Sequence, residues 1–237
     1  LDPARRETGA TGTGRLRPDD WSPSLQFAFS LADRMPVGVK LAPGMDRTLI
    51  PSDAEAQWIT VDGETVETVL WFGRLARPGV RRAALVLSGS SSVELVGEND
   101  SPDPDVVGLG RFLHEPAGAV IRARLIGDAA RRLDAGLVAP EVAYLTGPTP
   151  STDALVTSFE VRDILPLEER ALARELRARD IGTLEIKKRG VDIDPASLRK
   201  KLGLRGTGSA TVVATRLNGK RVAILADRVP PAAGSQL

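Results

Sequence analysis

Two short dipeptides constrain this chain more than anything else in it. Ala56–Val61 and Glu64–Phe72 are alternating runs broken only by Asp62-Gly63, and Gly208–Thr215 and Arg221–Asp227 flank Asn218-Gly219 in the same way. The tight turn that matches strand twist needs positive φ at both central residues, which Asn, Asp and Gly tolerate. Each pair therefore predicts an antiparallel β-hairpin.

The second hairpin closes a longer pattern. Ser158–Leu165 reads as a strand, Leu167–Arg179 as an amphipathic helix and Thr183–Lys188 as a strand. Pro195–Leu202 reads as a short helix with Asp194 as its N-cap, Pro195 at its first position and Gly203 past its end. The order β-α-β-α-β-β over about 70 residues suits an independent small domain. Its centre is cationic: from Glu185 to Arg205, seven basic residues (Lys187, Lys188, Arg189, Arg199, Lys200, Lys201, Arg205) stand against three acids, a local net of +4. Lys and Arg number 32 and Asp and Glu 31 in the whole chain, so any preference for a polyanion must come from this clustering.

Three stretches carry a resemblance to a known family. They are Leu184-Glu-Ile-Lys-Lys-Arg-Gly-Val-Asp-Ile-Asp-Pro195, Gly208-Ser-Ala-Thr-Val-Val-Ala-Thr-Arg216 and the opening Leu1-Asp-Pro-Ala-Arg-Arg6. Together the chain resembles a class I S-adenosylmethionine-dependent methyltransferase with a THUMP-like C-terminal domain. The resemblance implies an α/β fold: the C-terminal half of a Rossmann-like methyltransferase sheet plus the small THUMP-like domain. It also implies S-adenosylmethionine as cofactor and RNA, a tRNA or rRNA, as partner. The expected division is residues 1–105 as methyltransferase, 106–156 as a helical connecting segment, 157–229 as the THUMP-like domain and 230–237 as a tail. The opening Asp-Pro reads as the end of a strand whose beginning lies outside the chain, and the glycine loop that binds the methyl donor is expected there too.

By the same resemblance, Asp2, Pro3 and Arg5 occupy the Asp/Asn-Pro-Pro-aromatic motif beside methyl donor and acceptor, with Asp2 and Pro3 against the cofactor. Ala4 and Arg5 depart from that motif, and the ring that would stack on a flipped base is absent. Asp2, Lys40 and Glu67 are similar to three members of the Lys-Asp-Lys-Glu set of ribose 2′-O-methyltransferases, in which a lysine flanked by carboxylates deprotonates a hydroxyl. The chain has no cysteine, which excludes disulfides, thiolate metal sites and the thiolate attack used to methylate carbon 5 of pyrimidines. Methylation of nitrogen or oxygen remains, and so does a non-catalytic RNA-binding protein on a degenerate methyltransferase fold. One histidine makes a metal site an unpromising expectation. No apolar run approaches the ~20 residues that span a bilayer, so a soluble, cytoplasmic protein is expected.

The remaining segments are read more coarsely. Thr8–Gly14 has the spacing G-x-x-G-x-G rather than a dinucleotide fingerprint and is expected to be a surface loop. Ser22-Pro23 is expected to cap a helix that runs to Arg34, and Val37–Leu41 to be a buried parallel strand. Ala83–Leu87 and Ser92–Val96 are two further strands, and Glu98–Asp105, with four acids and no base, a linker. Phe112–Pro116 resembles a family segment that opens a helical stretch, Val120–Leu137 has helical spacing, and His114 is expected to be a capping or packing residue. Pro148-Thr-Pro-Ser151 is expected to mark the last domain boundary.

Overall fold

A computed structural model describes residues 1–3 and 21–230. The chain forms two compact units, Leu1–Pro102 with Ala117–Leu125, and Asp103–Pro116 with Ile126–Leu237. This division differs from the expected one: residues 106–156 are shared between both units and are not a separate segment.

In the first unit a short helix α1 (Leu25–Ser30) precedes five strands, β1 (Gly38–Leu41), β2 (Glu55–Val61), β3 (Glu64–Trp71), β4 (Arg82–Ser88) and β5 (Ser91–Gly97). The cap of α1 is Ser24, whose hydroxyl accepts from the Phe27 N–H, so the helix starts two residues beyond the expected Ser22 cap and ends before Arg34. The sheet order is β1-β3-β2-β4-β5. The β2–β3 hairpin forms as expected around Asp62 (φ 47) and Gly63 (φ 89), both left-handed. Its second strand β3 pairs antiparallel with β1, so β1 is not flanked by parallel neighbours alone. The parallel side of β1 is Leu1: the Lys40 N–H donates to the Leu1 carbonyl at 2.8 Å and the Leu1 amine to the Gly38 carbonyl at 2.8 Å, a bridge of parallel type about Val39.

One face of this sheet packs Val39, Leu41, Ala56, Trp58, Leu70 and Ala84 into a buried core. It is covered in part by α2 (Gly118–Arg122), which lies against β2 and β4. A Cβ on Gly118 would sit 2.0 Å from Thr65 Oγ1, so only glycine lets the helix start this close to the hairpin. The Thr60 hydroxyl completes the joint by accepting from the Ala119 N–H at 2.9 Å.

The second unit holds β6 (Phe112–Pro116), α3 (Ile126–Leu133), β7 (Gly136–Ala139), β8 (Val142–Gly147), β9 (Val156–Pro166), α4 (Glu169–Ala178), β10 (Ile181–Lys188), α5 (Pro195–Leu202), β11 (Gly208–Leu217) and β12 (Lys220–Arg228). From β9 onward every expected element is present in order. The α5 bounds match the expected ones because its ends are chemically marked: Asp194 accepts from the Ser197 N–H, Pro195 occupies the first turn and Gly203 (φ 53) ends the helix. Helices α4 and α5 bury Leu172, Leu176, Leu198 and Leu202 against Leu184, Ile186, Val212 and Leu225 on one face of the sheet.

The expected small domain does not stop at four strands. Its sheet runs β10-β11-β12-β9-β6-β8-β7, so Phe112–Pro116 is a strand and not the opening of a helix. The helical run expected over Val120–Leu137 breaks into α2 and α3 at Arg124 (φ 60), and its end is β7. Pro148–Ser151 lies in the connection between β8 and β9, two strands of one sheet, so it marks no boundary there. The sheet also curls. On the face opposite α4 and α5, Leu113, Tyr144, Phe159, Val213 and Ile224 form a second core, and Lys187 at the end of β10 reaches Glu115 on β6.

Candidate functional site

The expected site residues fall into two groups of side chains, and each group lies within one unit. In the first, Lys40 Nζ stands 2.7 Å from Asp2 Oδ2, with 48% and 65% of the two side chains exposed. The parallel bridge explains the meeting, since it sets Asp2 one residue beyond the Leu1–Val39 pair, beside Lys40. Lys40 is the cross-strand partner of Val69, so Glu67, two residues earlier on β3, shares its face one diagonal step away. Pro3 is buried. Arg5 and the Thr8–Gly14 loop lie outside the described residues.

The second group is the basic stretch, and here strand geometry divides what sequence had joined. Successive side chains of β10 alternate faces. Leu184 and Ile186 point to α4 and α5, and Lys188 follows them, donating from Nζ to the Ile193 carbonyl at 2.6 Å. Lys187 points the other way and is half-buried, with Nζ 2.7 Å from Glu115 Oε2 and 3.5 Å from Glu185 Oε1. Arg189 stacks on Tyr144 at 5.4 Å. Arg199 donates to the Leu184 carbonyl at 3.1 Å and Lys201 pairs with Glu169 at 2.7 Å. Lys200 and Arg205 are exposed. The expected single cationic face is therefore not formed by all seven residues: Lys187 and Arg189 are half-buried against Glu115, Glu185 and Tyr144, Lys188, Arg199 and Lys201 are exposed but bonded within the domain, and Lys200 and Arg205 are exposed.

Around Lys187 is a network that the sequence reading missed. Glu185 also accepts from Arg228 at 3.0 Å and from the Thr211 hydroxyl at 3.0 Å, and the Tyr144 hydroxyl donates to Glu115 at 3.5 Å. Lys187 and Arg228 both stand over the Phe159 ring, at 5.7 and 5.2 Å. Burial pushes the Glu185 carboxyl up, but the charge of Lys187 and the hydrogen bonds from Arg228 and Thr211 outweigh it and hold it below the usual carboxylate value. Tyr144 is raised well above an ordinary phenol, first by burial and then by the nearby Glu115 charge. No local signal marks Glu115, since Phe112–Pro116 shows no apolar-polar alternation and its partner Lys187 lies 72 residues away. His114, on the other face of β6, is buried and bonded through Nδ1 to Ser158 Oγ at 2.8 Å, a packing role as expected.

Residues 156–228 match the family model described as THUMP domain-like, a span that begins with the first residue of β9 and ends with the last of β12. The β9–β12 part of the chain is similar to that domain. Strands β6, β8 and β7 extend the THUMP-like sheet beyond the matched span, and the Lys187–Glu115 pair ties the two parts together. Over 220 residues, 92% of its length, the chain is 36% identical to two curated proteins from Mycobacterium tuberculosis strains CDC 1551 / Oshkosh and ATCC 25618 / H37Rv. Each is named an uncharacterized S-adenosylmethionine-dependent methyltransferase. The chain spans 59% of the length of these relatives. A crystal structure of a candidate methyltransferase from Porphyromonas gingivalis W83 aligns with a TM-score of 0.73 over 97% of this chain and 59% of that one. At 20% identity it is the fold that the two share.

Proposed function

We propose that this chain belongs to an S-adenosylmethionine-dependent methyltransferase that modifies RNA, a tRNA or rRNA, at nitrogen or oxygen. The observation that carries the reading is the exposed Asp2–Lys40 ion pair, at the end of the segment bridged to β1. The methyl donor, when bound, supplies an electrophilic methyl group on sulfonium sulfur. The residues present fit such a group: a carboxylate 65% exposed can accept a hydrogen bond from donor or acceptor while Lys40 holds one of its oxygens, and Pro3 beside it is buried. Asp2 and Pro3 would stand against the cofactor. Asp2 and Lys40, with Glu67 on the same face, would orient the acceptor nucleophile and take its proton. The THUMP-like domain would capture the RNA through Lys188, Lys200 and Arg205, and the lack of a cysteine fits a mechanism without a thiolate.

The test is made on the native protein. Asp2→Ala should lower methyl transfer to RNA by roughly 10²-fold or more with little change in RNA affinity. Lys200→Gln with Arg205→Gln should weaken RNA binding and reduce its log-log salt dependence by about 0.7 to 0.9 for each phosphate that is no longer neutralised. Full activity of Asp2→Ala would overturn the catalytic assignment. RNA binding without methyl transfer by the unaltered protein would favour a non-catalytic RNA-binding role, to which the Ala4-Arg5 departure from the motif points.

A further inference from the structure

Asp100, in the coil after β5, is met by three guanidinium groups from three different elements. Arg47, on the 3₁₀ turn Arg47–Leu49, donates from Nη2 to Asp100 Oδ1. Arg82, the first residue of β4, donates from Nε to the same oxygen at 3.1 Å. Arg124, in the left-handed position after α2, brings Nε to 3.8 Å from Oδ2, an ion pair too long for a hydrogen bond.

Each arginine is set in place by the backbone. Asp46 caps the turn that carries Arg47 through the Thr48 N–H at 2.9 Å. Arg82 spends Nη1 on the Arg81 carbonyl at 3.0 Å. The Ser101 N–H and hydroxyl both donate to the Arg124 carbonyl, at 2.9 and 3.1 Å, which holds that residue beside Asp100. Three cations on one carboxylate leave a local charge of +2. The donors are also in surplus, because each guanidinium carries five N–H groups in a fixed fork, more than one carboxylate can accept. With 32%, 21% and 55% of the Arg47, Arg82 and Arg124 side chains exposed, the surplus is open to a ligand.

We propose that Arg47, Arg82 and Arg124 form a phosphate-binding site in which Asp100 is the internal counter-ion. A phosphate group matches it because planar forks engage its oxygens in pairs and its charge completes the balance. The site stands on its own charge balance and does not depend on the RNA assignment.

Calorimetry on the whole chain at low ionic strength tests it with two probes: inorganic phosphate, and an oligoribonucleotide without a terminal phosphate, which offers only phosphodiesters. Saturable binding of at least one is expected. Arg124→Gln, which keeps the backbone carbonyl that Ser101 holds, should weaken it roughly ten-fold, the equivalent of one charge-assisted hydrogen bond. Asp100→Asn should tighten binding by removing the competing anion, an outcome that a merely structural arginine cluster would not give. If the Arg124-dependent binding is stronger for the oligonucleotide, the source is a nucleic-acid backbone; if stronger for inorganic phosphate, it is a phosphomonoester or free phosphate. Absence of saturable binding for both probes, or equal affinity in Arg124→Gln, overturns the proposal.

Discussion

Removing the guanidinium of Arg77 should destabilise the first unit by about 2 kcal/mol, and the reason is a charge that cannot reach water. Glu55, at the start of β2, is 1% exposed. One of its oxygens accepts from Arg77 Nε at 3.0 Å and Nη2 at 2.5 Å, and the other from the Arg77 backbone N–H at 2.7 Å. Arg77 also bridges to Glu94 on β5, at 2.6 and 2.9 Å, and Gln57 links Glu94 to Trp71. Stripping one partner from a buried pair costs about 3–5 kcal/mol, because the remaining ion stays desolvated. Arg77 is itself 42% exposed, so water can enter the vacated side and the figure must be cut, to about 2 kcal/mol. All three tryptophans lie in this unit, so urea unfolding followed by intrinsic fluorescence reports on it. Arg77→Met should show the loss at unchanged m-value, and adding Glu55→Gln should recover more than half of it, since no ion is then left buried. A single variant within about 0.5 kcal/mol of the parent, or a double variant less stable than the single, would refute the reasoning.

Gly118→Ala should destabilise by about 1–3 kcal/mol despite the better helix propensity of alanine, and Thr65→Ala in the same chain should restore the loss, read from the same fluorescence transition. His114 is held below the usual imidazole value by burial, so the folded chain keeps it neutral where the unfolded chain takes up a proton. Stability of the second unit should therefore fall as pH drops from about 6.5 toward the lower folded value, and His114→Gln should flatten that part of a urea-midpoint profile followed by circular dichroism; an unchanged profile would place the pH dependence elsewhere. Lys187→Met should lower the melting temperature by leaving Glu115 and Glu185 short of a cation, whereas Lys200→Gln should leave it within a degree or so; equal melting temperatures would mean that the network around Lys187 contributes nothing. Asp194→Ala should cost about 1 kcal/mol through loss of the α5 cap, measured by chemical denaturation.

What could be read in the sequence was what is local. Asp62-Gly63 and Asn218-Gly219 marked their hairpins because turn conformation is decided within a few residues, and Asp194, Pro195 and Gly203 delimited α5 for the same reason. The pairing of β6 with β8 and β9 was out of reach, since its partners lie up to 48 residues away in the Phe112–Glu160 register and its five residues fit a helix start as well as a strand. Gly118 and Arg77 escaped for a related reason. A glycine needed for close approach looks like any other glycine until the approaching Thr65 is known, and one arginine among Arg74, Arg77, Arg81 and Arg82 gives no hint that a buried Glu55 waits for it.

The basic stretch carries the same point into function. Counting cations along a sequence assumes that neighbours in the chain are neighbours in space, and that holds on a helix face but fails on a strand, where the pleat sends Lys187 and Lys188 to opposite sides of the sheet. Lys187 then spends its charge on Glu115 and Glu185, residues whose acidity offsets it locally, and adds nothing to a surface potential. The reverse happens at Asp100. Arg47, Arg82 and Arg124 are scattered over 78 positions, too far apart to register as a cluster, yet a turn, a strand start and a helix end bring them to one carboxylate with charge to spare. Excess charge in this protein is therefore a property of where backbones converge, and the phosphate titration of Arg124→Gln against Lys187→Met separates the two cases: the first substitution should change anion affinity and not stability, the second stability and not anion affinity.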